Sequence, residues 1–137
     1  MIKTQSTMAQ KVAQAVTAFQ QETTGHAPTA VTVVLSQDTL VVTLHEALSP
    51  AERDMAKSPA GAAKVQEFHR QLFINSSQSL RDEIQRITGV EVREAVAEVE
   101  PTTGAVVQAF TRSAMVQVFR LAQSVPGDNW TSPQEQQ

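Results

Sequence analysis

The stretch "AVTVVLSQDTLVVTLH", residues 30–45, holds two runs of alternating, β-branched residues on either side of Gln37-Asp38, the pattern of a β-hairpin. With those two residues as the turn, Val31, Val33 and Leu35 share one face with Leu40, Val42 and Leu44, while Thr32, Val34, Val41 and Thr43 share the other. Both strands therefore agree on the apolar face, and a one-residue slip would scramble it. Gln-Asp is not a favoured two-residue turn pair, which leaves a longer loop open.

Upstream, Met8, Val12, Ala15, Val16 and Phe19 recur at helical spacing from about residue 5 to 22, with Gly25 and Pro28 closing the segment. Downstream, "LSPAE" places Ser49 as a helix cap, Pro50 at the first position and Glu52 as the reciprocal capping residue of a short helix. "KSPAG" repeats the signal at Ser58-Pro59, after which Val65, Phe68, Leu72, Ser76, Leu80, Ile84 and Ile87 step by three or four residues towards Gly89. That pattern predicts one helix of about 30 residues, roughly 45 Å long, against a radius of gyration near ~14 Å for a domain of this size. Such a helix must protrude or lie across a partner subunit. The small Ser76 on the apolar stripe suits close approach of another backbone, so Leu72, Ser76 and Leu80 are the expected contacts of a homodimer. Asn75, Ser76, Ser77 and Ser79 are poor helix formers, and a break there is the competing reading.

"VEVREAVAEVE", Pro101-Thr102-Thr103-Gly104 and "AVVQAFT" read as a second hairpin. In "SAMVQVFRLAQ", Val116 and Val118 favour a strand, whereas Met115, Val118, Phe119 and Ala122 fit a helix, and both remain open over 114–122. The polar, Pro-containing end from 125 to 137 is expected to be disordered, leaving 1–124 as a single domain. The expected fold is a two-layer α+β domain, an antiparallel sheet of two hairpins covered on one face by the N-terminal helix and the long central helix.

The chain has 137 residues, no cysteine and a net charge of −3. Disulfides and thiolate chemistry are excluded, in keeping with a cytoplasmic location. The basic residues are scattered, which argues against a nucleic-acid stripe. No run reaches the ~20 apolar residues of a membrane span, so direct membrane insertion is not expected. His26, His45 and His69 show no metal-ligand spacing, and neither a metal nor a cofactor is expected. There is no nucleophile elbow and no phosphate-cradling glycine loop.

The residues with most chemistry to offer are few. His26 and Pro28 lie in the Gly25–Pro28 loop, His69 and Arg70 sit together on the central helix, and Arg93 adjoins the second hairpin. These are candidate ligand-, anion- or partner-binding groups, and a solvated helix charge is the plainer account of Arg70. Glu94 falls in the same alternate row as Val92 and Val96. A carboxylate facing a core there would have a perturbed pKa and could serve a catalytic role, whereas the neighbouring Arg93 suggests a mixed, partly exposed strand.

The order "GHAP", a hairpin with Asp38 before "LVVTL", "LSPAERDMAKSPAG", a helix carrying "FHRQLF", then "ITGVEV" and "TTGAVVQAFT" resembles the small bacterial MpsC-like family over about residues 8–111. Family members often have a second glycine where this chain has Ala27 in Gly25-His26-Ala27-Pro28. The resemblance implies association with a sodium-translocating, membrane-potential-generating system, as an accessory component that is peripheral to a membrane protein complex. It carries no catalytic residues. The expected function is thus a non-enzymatic accessory or regulatory interaction protein. A small-ligand or anion-binding module is the alternative, and an enzyme centred on Glu94 is the third reading.

Overall fold

The computed structural model describes residues 7–111, so the expectations for 114–122 and for the tail from 125 lie outside the described residues. The first helix, α1 (Met8–Thr24), starts from a capping box in which Thr7 and Gln10 satisfy each other's backbone N–H groups. It ends at Gly25, whose φ of 79° is left-handed, a conformation glycine adopts without a Cβ penalty. β1 (Ala30–Ser36) and β2 (Thr39–His45) form the expected hairpin, with Ser36 opposite Thr39 and Gln37-Asp38 as the turn. Val31 faces Leu44, Val33 faces Val42 and Leu35 faces Leu40, the register that the alternation predicts.

Two capped helices follow. In α2 (Pro50–Met55), Ser49 and Glu52 close a capping box around a proline in the first turn. Ser58 caps α3 (Pro59–Ser76) by accepting from the Gly61 N–H at 3.0 Å. A Cβ on Gly61 would sit 1.9 Å from the Met55 carbonyl oxygen, so the end of α2 and the start of α3 approach more closely than any other residue would permit.

The single long helix is not formed. α3 ends at Ser76, Ser77 takes φ −77° and ψ −8°, and α4 (Gln78–Thr88) continues to Gly89. The buried row is also displaced by one residue. It runs through Gly61, Val65, His69, Phe73 and Ser77, then Leu80 and Ile84, while Phe68 is 53% exposed. Steps of four advance about 400° at 3.6 residues per turn, so the row drifts roughly 40° per step around the helix. The interruption at Ser77 lets α4 begin a new row. As a result α3 packs on the third strand and α4 packs on α1. The length argument for a subunit contact at Leu72, Ser76 and Leu80 is thereby removed, and Leu80 lies within the monomer's own core.

β3 (Glu94–Glu100) and β4 (Ala105–Thr111) form the second hairpin around Pro101–Gly104. The four antiparallel strands are ordered β1-β2-β4-β3. The core face of β2 carries Leu40, Val42 and Leu44, which stand opposite Phe110, Gln108 and Val106 of β4. Onto this face α1 brings Val12, Val16 and Phe19, α3 brings Val65 and Phe73, and α4 brings Leu80 and Ile84. Phe19, Phe73 and Phe110 connect the layers through ring pairs at 6.1 and 6.0 Å, the spacing of favourable edge and tilted contacts. All three helices thus contribute to one face of the sheet, and Val34 and Val96 are exposed on the other.

The close approach at Gly61 makes a direct prediction. Gly61→Ala should lower stability by about 1–3 kcal/mol through overpacking against Met55, read as a lower urea midpoint at unchanged slope. A midpoint equal to that of the wild type would mean that α2 is not held in this position.

Candidate functional site

The structure separates the residues singled out as binding groups. His26 Nε2 donates to the Glu46 carbonyl at 3.1 Å, at the end of the sheet where Ala30 pairs with His45, and Pro28 leads into that strand. Glu94 pairs with Thr111 at the opposite end, where Thr39 begins β2. It is exposed, in the outward row with Val96 and Glu98, while Ala95, Ala97 and Val99 face the helices. The row inferred from Val92 fails because Val92 precedes the strand and packs on the core from the connecting loop. Arg93 meets Glu91 at 3.3 Å. Arg70 meets Glu98 at 3.3 Å and Glu67 at 2.6 Å; these hydrogen bonds, that to Glu98 first, hold its guanidinium even more firmly protonated. Arg70 and Arg93 already face carboxylates, and neither is joined with His26 in an anion pocket.

His69 is different. It is 4% exposed, and its Nε2 lies 2.7 Å from Glu52 Oε2. A carboxylate only accepts, so Nε2 carries the hydrogen and donates. Glu52 therefore has two tasks, closing the cap with Ser49 through Oε1 and pairing with His69 through Oε2. The sequence signal for Glu52 was its capping position, which accounted for the residue fully and concealed the second role. Gln20 and Gln108 are buried as well, and Gln108 Oε1 has no hydrogen-bond partner among the described residues. The space bounded by Phe19, Gln20, His69, Phe73 and Gln108 is about 10 Å³, room for about one water and no substrate. The pair is accordingly a tie between α2 and α3. No group of three or more metal-ligating side chains occurs among the described residues.

A second opening is apolar. A cleft of about 400 Å³ lies where the N-terminus of α1, the turn end of the first hairpin, the C-terminus of α4 and the loop to β3 meet. Met8, Val33, Leu35, Leu40, Ile84, Val90, Val92 and Phe110 line it, and Gln37, Asp38, Thr88 and Glu91 also border it. Leu35 is 67% exposed and Met8 59%. Leu35 belongs to the core face by register, yet the helices stop short of covering it. The volume falls in the range of ligand and peptide pockets, and its chemistry suits an apolar side chain more than a reacting group. No candidate binding residue from the sequence lines it.

A model of one protein family, described as Na+-translocating membrane potential-generating system (MpsC), matches residues 4–113. The chain belongs to the MpsC family. The match spans all four strands and all four helices described above. No curated protein and no solved structure gives a match. No helix among the described residues of this MpsC-family chain is long and apolar enough to cross a membrane.

The tie between His69 and Glu52 makes stability depend on pH. Burial pushes the Glu52 carboxyl up, but the Ser49 backbone N–H, His69 and the Ser49 hydroxyl together bring it below its ordinary range. A carboxyl depressed in the folded state contributes stability above its unfolded pKa and loses it as pH falls through the folded value. Glu52→Gln should therefore cost about 1–3 kcal/mol near pH 7, and the gap to wild type should shrink below about pH 4. Urea midpoints measured from pH 7 down to 3 check this, and a gap independent of pH would contradict it.

Proposed function

We propose that this chain is a non-enzymatic accessory component of a sodium-translocating, membrane-potential-generating system, acting from the cytoplasm and joining a membrane protein complex through the apolar cleft. The observation that carries the proposal is the cleft itself. It is an opening lined by exposed Met8, Leu35 and Val90, without a cluster of titratable groups, in a chain of the MpsC family. Exposed apolar patches rimmed by polar residues mark interaction surfaces more often than reaction centres.

The anion-binding alternative has less support, because Arg70 and Arg93 are already matched by carboxylates. An enzyme centred on Glu94 has less still, since that carboxylate is exposed on the open face of the sheet. The proposal places the chain at the surface of its complex, where burial of Leu35 and its neighbours would stabilise association by roughly 25 cal/mol per Å² before ordering costs.

The test is a complementation experiment in the native host. Loss of the chain should reduce the sodium-dependent membrane potential reported by a potentiometric dye, and the wild-type chain should restore it. Leu35→Asp and Val90→Asp alter side chains that are exposed in the monomer, so both variants should fold and fail to restore the potential. Full restoration by both would overturn the assignment of the cleft, and a potential unaffected by loss of the chain would overturn the function.

A further inference from the structure

Among the described residues the strand order leaves two edges, and they differ in chemistry. β3 carries Glu94, Glu98 and Glu100, and Arg70 of α3 reaches over to Glu98. Charges of this kind are a usual defence of an edge strand against pairing with another chain. β1, Ala30–Ser36, has none of these defences. Its seven residues "AVTVVLS" contain no charge and no proline, and they pair with β2 without a bulge. Val34 and Leu35 are exposed on its two faces.

We infer that β1 pairs antiparallel with β1 of a second copy of this chain, joining two four-stranded sheets across a two-fold axis at Val33. In that register Val31 faces Leu35, Thr32 faces Val34 and Ala30 faces Ser36, so apolar residues meet on the core side and no charges are opposed. The same operation on β3 would set Glu94 against Glu100, and directly opposed like charges are destabilising. The choice of a second copy rests on this self-complementarity, since closed two-fold pairing is the commonest assembly and leaves no further β1 edge free. The chain's net charge of −3 opposes self-association, and β1 itself carries none of that charge.

A second feature lies alongside. A groove of about 610 Å³ separates α1 from the start of β1, lined on the helix by Ala13, Gln14, Thr17 and Ala18 and on the chain entering the strand by Pro28 and Ala30. The short Ala13, Thr17 and Ala18 leave room beside the edge for a neighbouring subunit, and Gln14 and Gln21 border the same groove with polar groups. The contact strip is roughly 24 Å long and 15 Å high from strand and helix dimensions. That is smaller than the ~800 Å² per partner of a standard interface, which makes the dimer a dissociable one. Val33 and Leu35 belong to both the seam and the cleft, whereas Thr32 and Val34 lie on the opposite face of β1 and probe the seam alone.

Sedimentation equilibrium of the full chain from about 5 to about 500 µM reads the association directly. The mass should rise from one chain towards two over that range. Thr32→Lys combined with Val34→Lys sets lysines against each other across the axis and should weaken association at least about ten-fold, whereas Thr32→Lys combined with Val34→Glu sets opposite charges together and should restore it. The bond between the Thr32 hydroxyl and His45 is lost in both variants and cancels in the comparison. A wild type that stays monomeric at the highest concentration overturns the inference, as do two double variants that associate equally.

Discussion

The pairing of β2 with β4 is the contact on which the rest of the structure depends. Each hairpin is local in sequence, but Leu40 opposite Phe110, Val42 opposite Gln108 and Leu44 opposite Val106 join hairpins separated by the three helices α2, α3 and α4. A lone hairpin is marginal in water, and a larger sheet with an apolar face is needed for stability. Once the hairpins are joined, the core row of four strands offers a surface wide enough for α1 and α3 to lie on it, with α4 packed against α1. Phe110 sits at the meeting point, against Phe73 of α3, and also lines the cleft.

Because the helices cover only one face, what remains exposed is defined by the same pairing. The outward row has Val34, Val41, Ala109 and Val96 in line across the sheet, with Val34 and Val96 exposed at its ends and Ala109 buried. The core face runs past the helices at the turn end of the first hairpin, where Leu35 is left uncovered. The cleft is thus a consequence of helices shorter than the surface beneath them. The interruption at Ser77 contributes, since an uninterrupted rod would have carried α4 away from α1 and left Val12 and Val16 without part of their cover.

Much of this was legible in the sequence, and the failures have physical causes. The first hairpin and its register follow from alternation, and the starts of α2 and α3 follow from Ser49 and Ser58 with their partners, whereas the start of α1 at the Thr7 cap differs from the expected one near residue 5. The phase of α3 did not, because Phe68 and Leu72 make a more apolar row than His69 and Ser77 do. Two contacts decide for the less apolar row: His69 is paired with Glu52, and Phe73 has Phe19 and Phe110 as neighbours. Both lie far away in the chain, so local periodicity had no access to them. A core-facing Glu94 came only from extending strand parity back through a loop, and the partly exposed strand suggested by Arg93 is the one observed. The cleft was invisible for a related reason: its lining comes from four separate segments, each contributing residues that read individually as ordinary core.

Backbone amide hydrogen exchange tests the central pairing most directly. If β2 and β4 form the shared spine, the interior amides of Val41 to Thr43 and Val107 to Ala109 that bond across it exchange only when the whole domain opens, and their protection is the same within a few-fold. Protection in β2 differing from that in β4 by more than about ten-fold would show the two hairpins opening as separate units, and the account built on their union would be contradicted.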